Sequence, residues 1–564
     1  MDPRPRILRK LTAWGCLIGL LLSASWTQRT ARATVEVTSE RHVIPGYNEP
    51  NTPPNVPISD ALRAAITDPD AIRDGVVNLN QAIYVRFFDR NRTDPPSEII
   101  ILMPGFASGA NSFRPLATQI VTLSGGATEV WAVDRRSNLL EDLTAMVRAE
   151  HAGTEAAARD ALDYYSNHPD GPGGYIATHP FGEVSRFMSE WGLDVHVRDL
   201  KAIVEEARKV KGARVYLGGH SLGAFLVQAF AAYNFEGRAG HTLIDGLILL
   251  DGTAVPGAHA LLTDDQYLAG VNALRNPEKS GDEPFVSQPL GPYHFQLLEI
   301  AALCALINPE GASNLHQIVP SLVPVPASHA AAFGLIVDDE FQAQPLARFS
   351  VGFLQPPSGQ PVSAIAEKTT DPAGVNPNGL YTPKALTPAK DGRTPVHTWA
   401  AVRNLKAISS SFVVGPEPSN LETVARSFLT GDGSGLTERQ ANFTEWYSPQ
   451  RLLLDILKMS ELNVKKLSPE VVAVVTARGG NLPALTENRR VAVPVLALQA
   501  RQGLFPPTVG SLPFTLYRSS IASPQFVHAM LPSFAHGDLL TGTDPEAFGR
   551  TVAQAILDFV KGTL

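Results

Sequence analysis

From about residue 95 the chain alternates short, wholly apolar runs with segments whose apolar positions recur at helical spacing, the pattern of a parallel sheet covered by crossover helices. Glu98 to Met103 (EIIILM) reads as a buried strand running into Pro104-Gly105-Phe106, and Glu129 to Val133 reads as the next, ending at Asp134. After a connection of roughly 60 residues, long for a compact unit, Leu200, Ile203, Val204 and Ala207 fall on one helical face, with Gly212 placed to cap that helix. Arg214 to Leu217 is then a strand, Gly218 to Gly223 (GGHSLG) a tight turn, and Leu222, Phe225, Leu226, Ala229 and Phe230 open a one-sided helix. Gly246 to Leu250 (GLILL) is a further buried strand that ends at Asp251.

The alternation then stops until Val493 to Leu498 (VPVLAL) and Gln525 to Met530, which are followed by His536-Gly537-Asp538. A closing helix is expected from Asp544-Pro545, with Phe548, Val552, Ile556, Phe559 and Val560 inward. Between the two halves lies an insertion with helices near Phe295 to Ile307 and Leu421 to Leu429, and long Pro/Gly-rich loops around Gln355 to Pro395. The expected division is a leader at 1–33, an N-terminal extension with edge strands at 34–94, a core in two parts at 95–252 and 488–564, and an inserted cap or lid at 253–487. Gly431 to Gly435 (GDGSG) follows no strand, so it reads as a loop and not as a dinucleotide site.

The first residues have the layout of an export signal. Arg4, Arg6, Arg9 and Lys10 precede an apolar run from Leu11 to Ala24, and Ala31-Arg32-Ala33 offers a small-residue cleavage site, so the mature chain is expected to start near Thr34. The competing reading is a membrane anchor, but the run has roughly 14 residues where a bilayer needs about 20. No other stretch is long and apolar enough to span, and the final compartment, periplasm or exterior, stays open. Cleavage removes Cys16 and leaves Cys304 as the one cysteine, so no intramolecular disulfide can form. It also takes the net charge from -8 to about -13, which argues against nucleic acid and anionic membrane surfaces as partners and suits a neutral or apolar small molecule.

Gly219-His220-Ser221-Leu222-Gly223 matches G-x-S-x-G, in which a serine on a sharp strand-to-helix turn holds its hydroxyl clear of the backbone and glycines make room for the turn. The bland alternative is a helix-capping serine, which needs neither glycine. Serine is a weak nucleophile at neutral pH and requires a base that is itself oriented by an acid. Of the 14 histidines, His536 alone lies in a loop between the last strand and the terminal helix; His220, beside the serine, should point into the packing of the turn. For the acid, no aspartate or glutamate occurs between Glu487 and Asp538, and Gln499, Arg501 and Gln502 stand where a carboxylate after the Val493–Leu498 strand would be. Asp251 is therefore the candidate acid, its alternative role being to cap the turn at Gly252, and Asp538 is too near His536 in sequence to reach its far nitrogen easily. Backbone N–H groups of Phe106 and Leu222 are the candidate donors to a tetrahedral oxyanion.

Taken together, Pro104-Gly105-Phe106, Val133-Asp134-Arg135, the serine turn, the strand ending in Asp251 and the late histidine resemble the α/β-hydrolase superfamily over roughly 95–252 and 488–564. The resemblance implies the order Ser221, Asp251, His536 for a triad, and an acid after the strand that follows the serine's helix, as in pancreatic-type lipases. The chain departs from the commonest pattern in its displaced acid, the long connection after Asp134 and the size of its insertion.

These features lead to the expectation of an exported serine hydrolase of carboxylic esters, acting on a small-molecule or lipid-like ester without a cofactor. There is no His-Glu-x-x-His run, and Asp264-Asp265 and Asp338-Asp339-Glu340 have no ligand-like spacing with histidine, so no metal is expected. Leu297 to Leu306 and Leu452 to Leu457 fit either a hydrophobic acyl or alcohol group or ordinary core packing. Two other readings remain: acyl transfer to a non-water acceptor by the same residues, and a non-catalytic binding protein on a hydrolase scaffold.

Overall fold

A computed structural model describes the chain from residue 34 onward, apart from 168–184, 256–260, 287–291, 310, 319–326, 331, 334–380, 389–394, 402–418, 420, 432–442 and 506–508. The expected leader and most of the Pro/Gly-rich loops fall outside the described residues.

Eight strands form one sheet: β1 (Val37–Pro45), β2 (Gln81–Asp89), β3 (Glu98–Met103), β4 (Thr128–Asp134), β5 (Arg214–His220), β6 (Gly246–Leu250), β7 (Val495–Gln502) and β8 (Phe526–Ala535). Their spatial order is β1-β2-β4-β3-β5-β6-β7-β8. β2 runs antiparallel to β1 and to β4, and every pairing from β4 to β8 is parallel. The central strands are unbroken apolar runs because both faces of a parallel sheet are covered. In β3, Ile99, Ile101 and Met103 join the core on one face while Ile100 and Leu102 join the core on the other, as the two-residue period of a strand dictates.

Among the described helices are α1 (Arg114–Leu123), α2 (Leu193–Ala207), α3 (Leu222–Ala232), α4 (Pro292–Ile307), α5 (Gln450–Lys458) and α6 (Val552–Val560). Leu116, Ile120 and Val121 of α1 and Ile556, Leu557 and Val560 of α6 cover one face of the sheet. Leu200, Ile203 and Val204 of α2 and Leu226, Val227 and Phe230 of α3 cover the other.

Several elements differ from the expectation, each for a local reason. β5 continues through Gly218, Gly219 and His220, because that stretch stays paired with β6 up to His220 opposite Leu250, and the turn narrows to Ser221. The helix after it is buried on all sides from Gly223 to Ala232, not one-sided, since the sheet lies beneath it and other elements surround it. α2 ends at Ala207 with Arg208 as its cap, and Gly212 serves a left-handed turn further on, at φ 85°. The closing helix starts at Val552, capped by the Thr551 hydroxyl on the Gln554 N–H. Phe548 is 37% exposed and lies in the turn before that helix. Tyr381–Pro388, placed in a loop by its proline content, is a strand paired antiparallel with Pro395–Ala401.

The described parts of the insertion share the core. Leu452 and Ile456 of α5, with Val471, Val475 and Leu485, pack in the same cluster as α2 and α3. Phe295, Ile300, Leu303 and the free, buried Cys304 of α4 pack with Trp191, Trp446 and Tyr447. Core packing therefore accounts for Leu452 and Ile456 in one stretch and for Ile300, Leu303 and Cys304 in the other. No helix among the described residues is long and apolar enough to cross a membrane.

Candidate active site

The carboxyl ends of β5 and β6 bring Ser221 and Asp251 side by side. Ser221 sits between β5 and α3 at φ 55° and ψ -121°, a left-handed conformation that an L-residue adopts only where its surroundings impose it. The surroundings here are backbone: the Ser221 N–H donates to Leu250 O at 2.9 Å. A Cβ on Gly219 would lie 2.3 Å from the Gly223 backbone, and one on Gly223 would lie 2.0 Å from Met103 O, so neither position accepts a larger residue. The Ser221 hydroxyl makes no capping bond to α3. The helix-cap role is thus not how this side chain is used.

Asp251 also has positive φ, 43°, and its carboxylate is fully buried. The Ala500 N–H donates to Oδ1 at 3.0 Å and the Leu504 N–H to Oδ2 at 2.8 Å. His536 Nδ1 lies 2.6 Å from the same Oδ2. A carboxylate only accepts, so Nδ1 is the donor, and in a neutral imidazole that tautomer leaves the lone pair on Nε2. The carboxylate thus comes from β6 but is held by the backbone at the end of β7, the place where the sequence offers only glutamine and arginine. Gly503 makes the room: a Cβ there would lie 1.9 Å from Asp251 Oδ2. Sequence reasoning did not single out Gly503, although a glycine directly after a strand is the available signal. Asp538 is elsewhere, accepting from the Ser419 hydroxyl at 2.6 Å.

His220 lies under this pair. Its Nε2–H donates to the His536 carbonyl at 2.9 Å, and the two rings are 4.3 Å apart. Burial first, and the neighbouring His536 second, push the His220 imidazole well below its ordinary range, so it is a neutral donor. As the sequence indicated, it packs inside the turn, and it also fixes the backbone of the loop that carries His536.

The loop after β3 closes the other side. A Cβ on Gly105 would meet Ser221 Cβ at 3.2 Å and His220 Nδ1 at 3.3 Å, which places Gly105 against the serine, with Phe106 the next residue of the loop. Leu222 is the first residue of α3, where an N–H has no partner within its own helix. Ser221 and His536 are 4% and 9% exposed, so the cluster is covered from solvent. Among the described residues no group of three histidine, cysteine or carboxylate side chains is placed to hold a metal ion.

No protein-family model matches the chain, and no curated protein matches its sequence. Solved structures similar to it include the peroxisomal α/β-hydrolase Lpx1 of Saccharomyces cerevisiae, 10% identical over 94% of this chain and 91% of that one, with a TM-score of 0.36. Others are epoxide hydrolase VrEH1 from Vigna radiata (11% identical, 86% of this chain, 94% of that one, TM-score 0.32) and a thermophilic esterase from Thermogutta terrifontis (12% identical, 86% and 95%, TM-score 0.31). Likenesses at this level carry no chemistry, and the fold is read from the chain itself. The eight-stranded order with β2 alone antiparallel to both its neighbours, the serine turn between β5 and α3, and the histidine loop after β8 make this chain an α/β-hydrolase in fold.

Proposed function

We propose that the chain is a serine hydrolase that cleaves carboxylic esters through an acyl-enzyme on Ser221. The observation that carries this reading is the 2.6 Å contact of His536 Nδ1 with an Asp251 carboxylate whose two oxygens are already anchored by backbone N–H groups, beside a strained serine. In this mechanism His536 Nε2 takes the Ser221 hydroxyl proton as Oγ attacks the ester carbonyl. Asp251 holds the imidazole in its tautomer and stabilises the imidazolium. The N–H groups of Phe106 and Leu222 receive the oxyanion. His536 then protonates the leaving alcohol, and water attacks the acyl-enzyme by the same route in reverse. We also propose that residues 1–33 direct export and are removed.

The test is turnover of p-nitrophenyl esters of increasing acyl length by the protein starting at Thr34, beside Ser221→Ala and with fluorophosphonate labelling followed by peptide mass analysis. Ester turnover lost in Ser221→Ala, with the label on the peptide containing Ser221, supports the reading. Full activity in Ser221→Ala rejects the nucleophile, and no turnover with no labelling points to a binding role. Partition of product toward an added alcohol would identify acyl transfer.

A further inference from the structure

We infer that Arg135 and Glu445 are positioning residues that aim the Phe106 N–H, so that the insertion completes the oxyanion site of the core; this rests on the function proposed above. The Arg135 guanidinium is buried at the end of β4 and grips the loop after β3 by its carbonyls. Its Nη2 donates to Pro104 O and Gly105 O, each at 2.7 Å, and its Nη1 donates to Ser108 O at 3.2 Å. The Gly105 carbonyl and the Phe106 N–H belong to one planar trans peptide and point in opposite directions. Fixing that carbonyl on Arg135 fixes the Phe106 N–H on the side away from it.

Arg135 is held in turn by the insertion. Glu445 Oε2 accepts from Arg135 Nη1 at 2.7 Å, with both side chains at 1% exposure or less, and its Oε1 accepts from the Ser137 hydroxyl. A buried pair of this kind depends on complete hydrogen bonding, because either charge alone would be stranded. The backbone of the same segment clasps the loop directly. The Glu445 N–H donates to Ala107 O at 2.9 Å, the Gly109 N–H donates to Phe443 O at 2.5 Å, and Ser108 pairs antiparallel with Thr444. Ala107 has φ 53°, a strained conformation that this clasp braces. Glu299 of α4 accepts from the Thr444 hydroxyl at 2.8 Å and the Trp446 indole N–H at 3.3 Å, anchoring the clasp to a second element of the insertion.

The experiment compares wild type, Glu445→Gln, Arg135→Lys and Ser137→Ala in three readouts: kcat and KM on a p-nitrophenyl ester, affinity for a trifluoromethyl ketone, and amide hydrogen exchange at Phe106. The ketone adds to Ser221 Oγ with transfer of the serine proton to His536, and its oxygen becomes the oxyanion. Loss of a whole oxyanion donor lowers kcat by about 100- to 1,000-fold, so a misaimed one in Glu445→Gln should lower it about 10- to 100-fold. KM should stay within about twofold, ketone affinity should fall by the same factor as kcat, and exchange at Phe106 should rise. Arg135→Lys should show a similar split, because a single ammonium cannot span the carbonyls that the guanidinium fork reaches. If Glu445→Gln does not fold, Ser137→Ala decides, with the same pattern in smaller measure. Unchanged kcat and ketone affinity in a folded variant, or a loss confined to KM, overturns the inference. If wild type neither turns over esters nor takes the label, the proposed function fails; a rise in Phe106 exchange would then leave the pair a structural strut and overturn its catalytic assignment.

Discussion

Asp251 and His536 meet at 2.6 Å although 285 positions separate them, and the carboxylate that joins them is anchored to the backbone of a strand other than its own. Three donors therefore converge on Asp251: the imidazole and two main-chain N–H groups. Its geometry is set before any substrate arrives.

Asp251→Asn should lower kcat on p-nitrophenyl esters by about 10,000-fold while the fold is retained, because an amide can stabilise the wrong imidazole tautomer. The introduced amide also has one oxygen for three donors, so the thermal midpoint should drop. Steady-state kinetics and a melting curve on the same preparation check both, and a kcat within tenfold of wild type would remove Asp251 from the mechanism.

Gly503→Ala puts a methyl group where Asp251 Oδ2 lies, at 1.9 Å, and the carboxylate must move. A displacement of that size should lower kcat about 100-fold. KM and the circular dichroism spectrum should hardly change. A wild-type rate would mean that the loop after β7 yields instead.

How much of the structure was legible in the sequence depends on the range of the interaction. β3 and β6 were readable to the residue, because strands covered on both faces are continuous apolar runs bounded by polar or turn residues. Ser221, Asp251 and His536 stood out because strand ends and a glycine-flanked turn are local patterns, and the structure brings Asp251 and His536 into contact. Gly503 and Glu445 were not singled out, and Arg135 was noted only as part of Val133-Asp134-Arg135, without its partner: each matters through a residue more than 200 positions away, and nothing in its neighbours' spacing records it. The start of α6 was misplaced because Asp544-Pro545 is as good a helix opening as Thr551, whereas 547–550 closes a tight turn, with Ala547 bridged to Arg550 and Phe548 and Gly549 at positive φ, so the helix starts only after it.

His196 should make the fold sensitive to acid. Burial pushes its imidazole down to about 3, with its Nδ1 on Gly192 O at 2.8 Å. The unfolded chain binds a proton near pH 6.5 that the folded chain refuses, so stability is complete above that pH and falls below it. The loss between about pH 7 and pH 4 from this residue is roughly 3 kcal/mol. Urea titrations at the two pH values should show a smaller difference in His196→Gln than in wild type, and an equal difference would refute the assignment.

Export can be read chemically. Expressed in a host with a general secretory pathway, the full chain should yield an exported protein whose first residue by N-terminal sequencing is near Thr34. An intact N-terminus retained in the membrane fraction would establish the anchor.

The excursion between β6 and β7 has a thermodynamic side. The chain leaves the sheet after Leu250 and returns at Val495 to pair with the strand it left, Leu250 opposite Leu498. Closing a loop tenfold longer than an ordinary crossover costs only about 2 kcal/mol of chain entropy, since the cost grows with the logarithm of length. The kinetic effect is larger, because two strands so distant in sequence must find each other before β7 and β8 can add to the sheet. Lengthening the chain at this point should therefore slow folding more than it weakens the folded state.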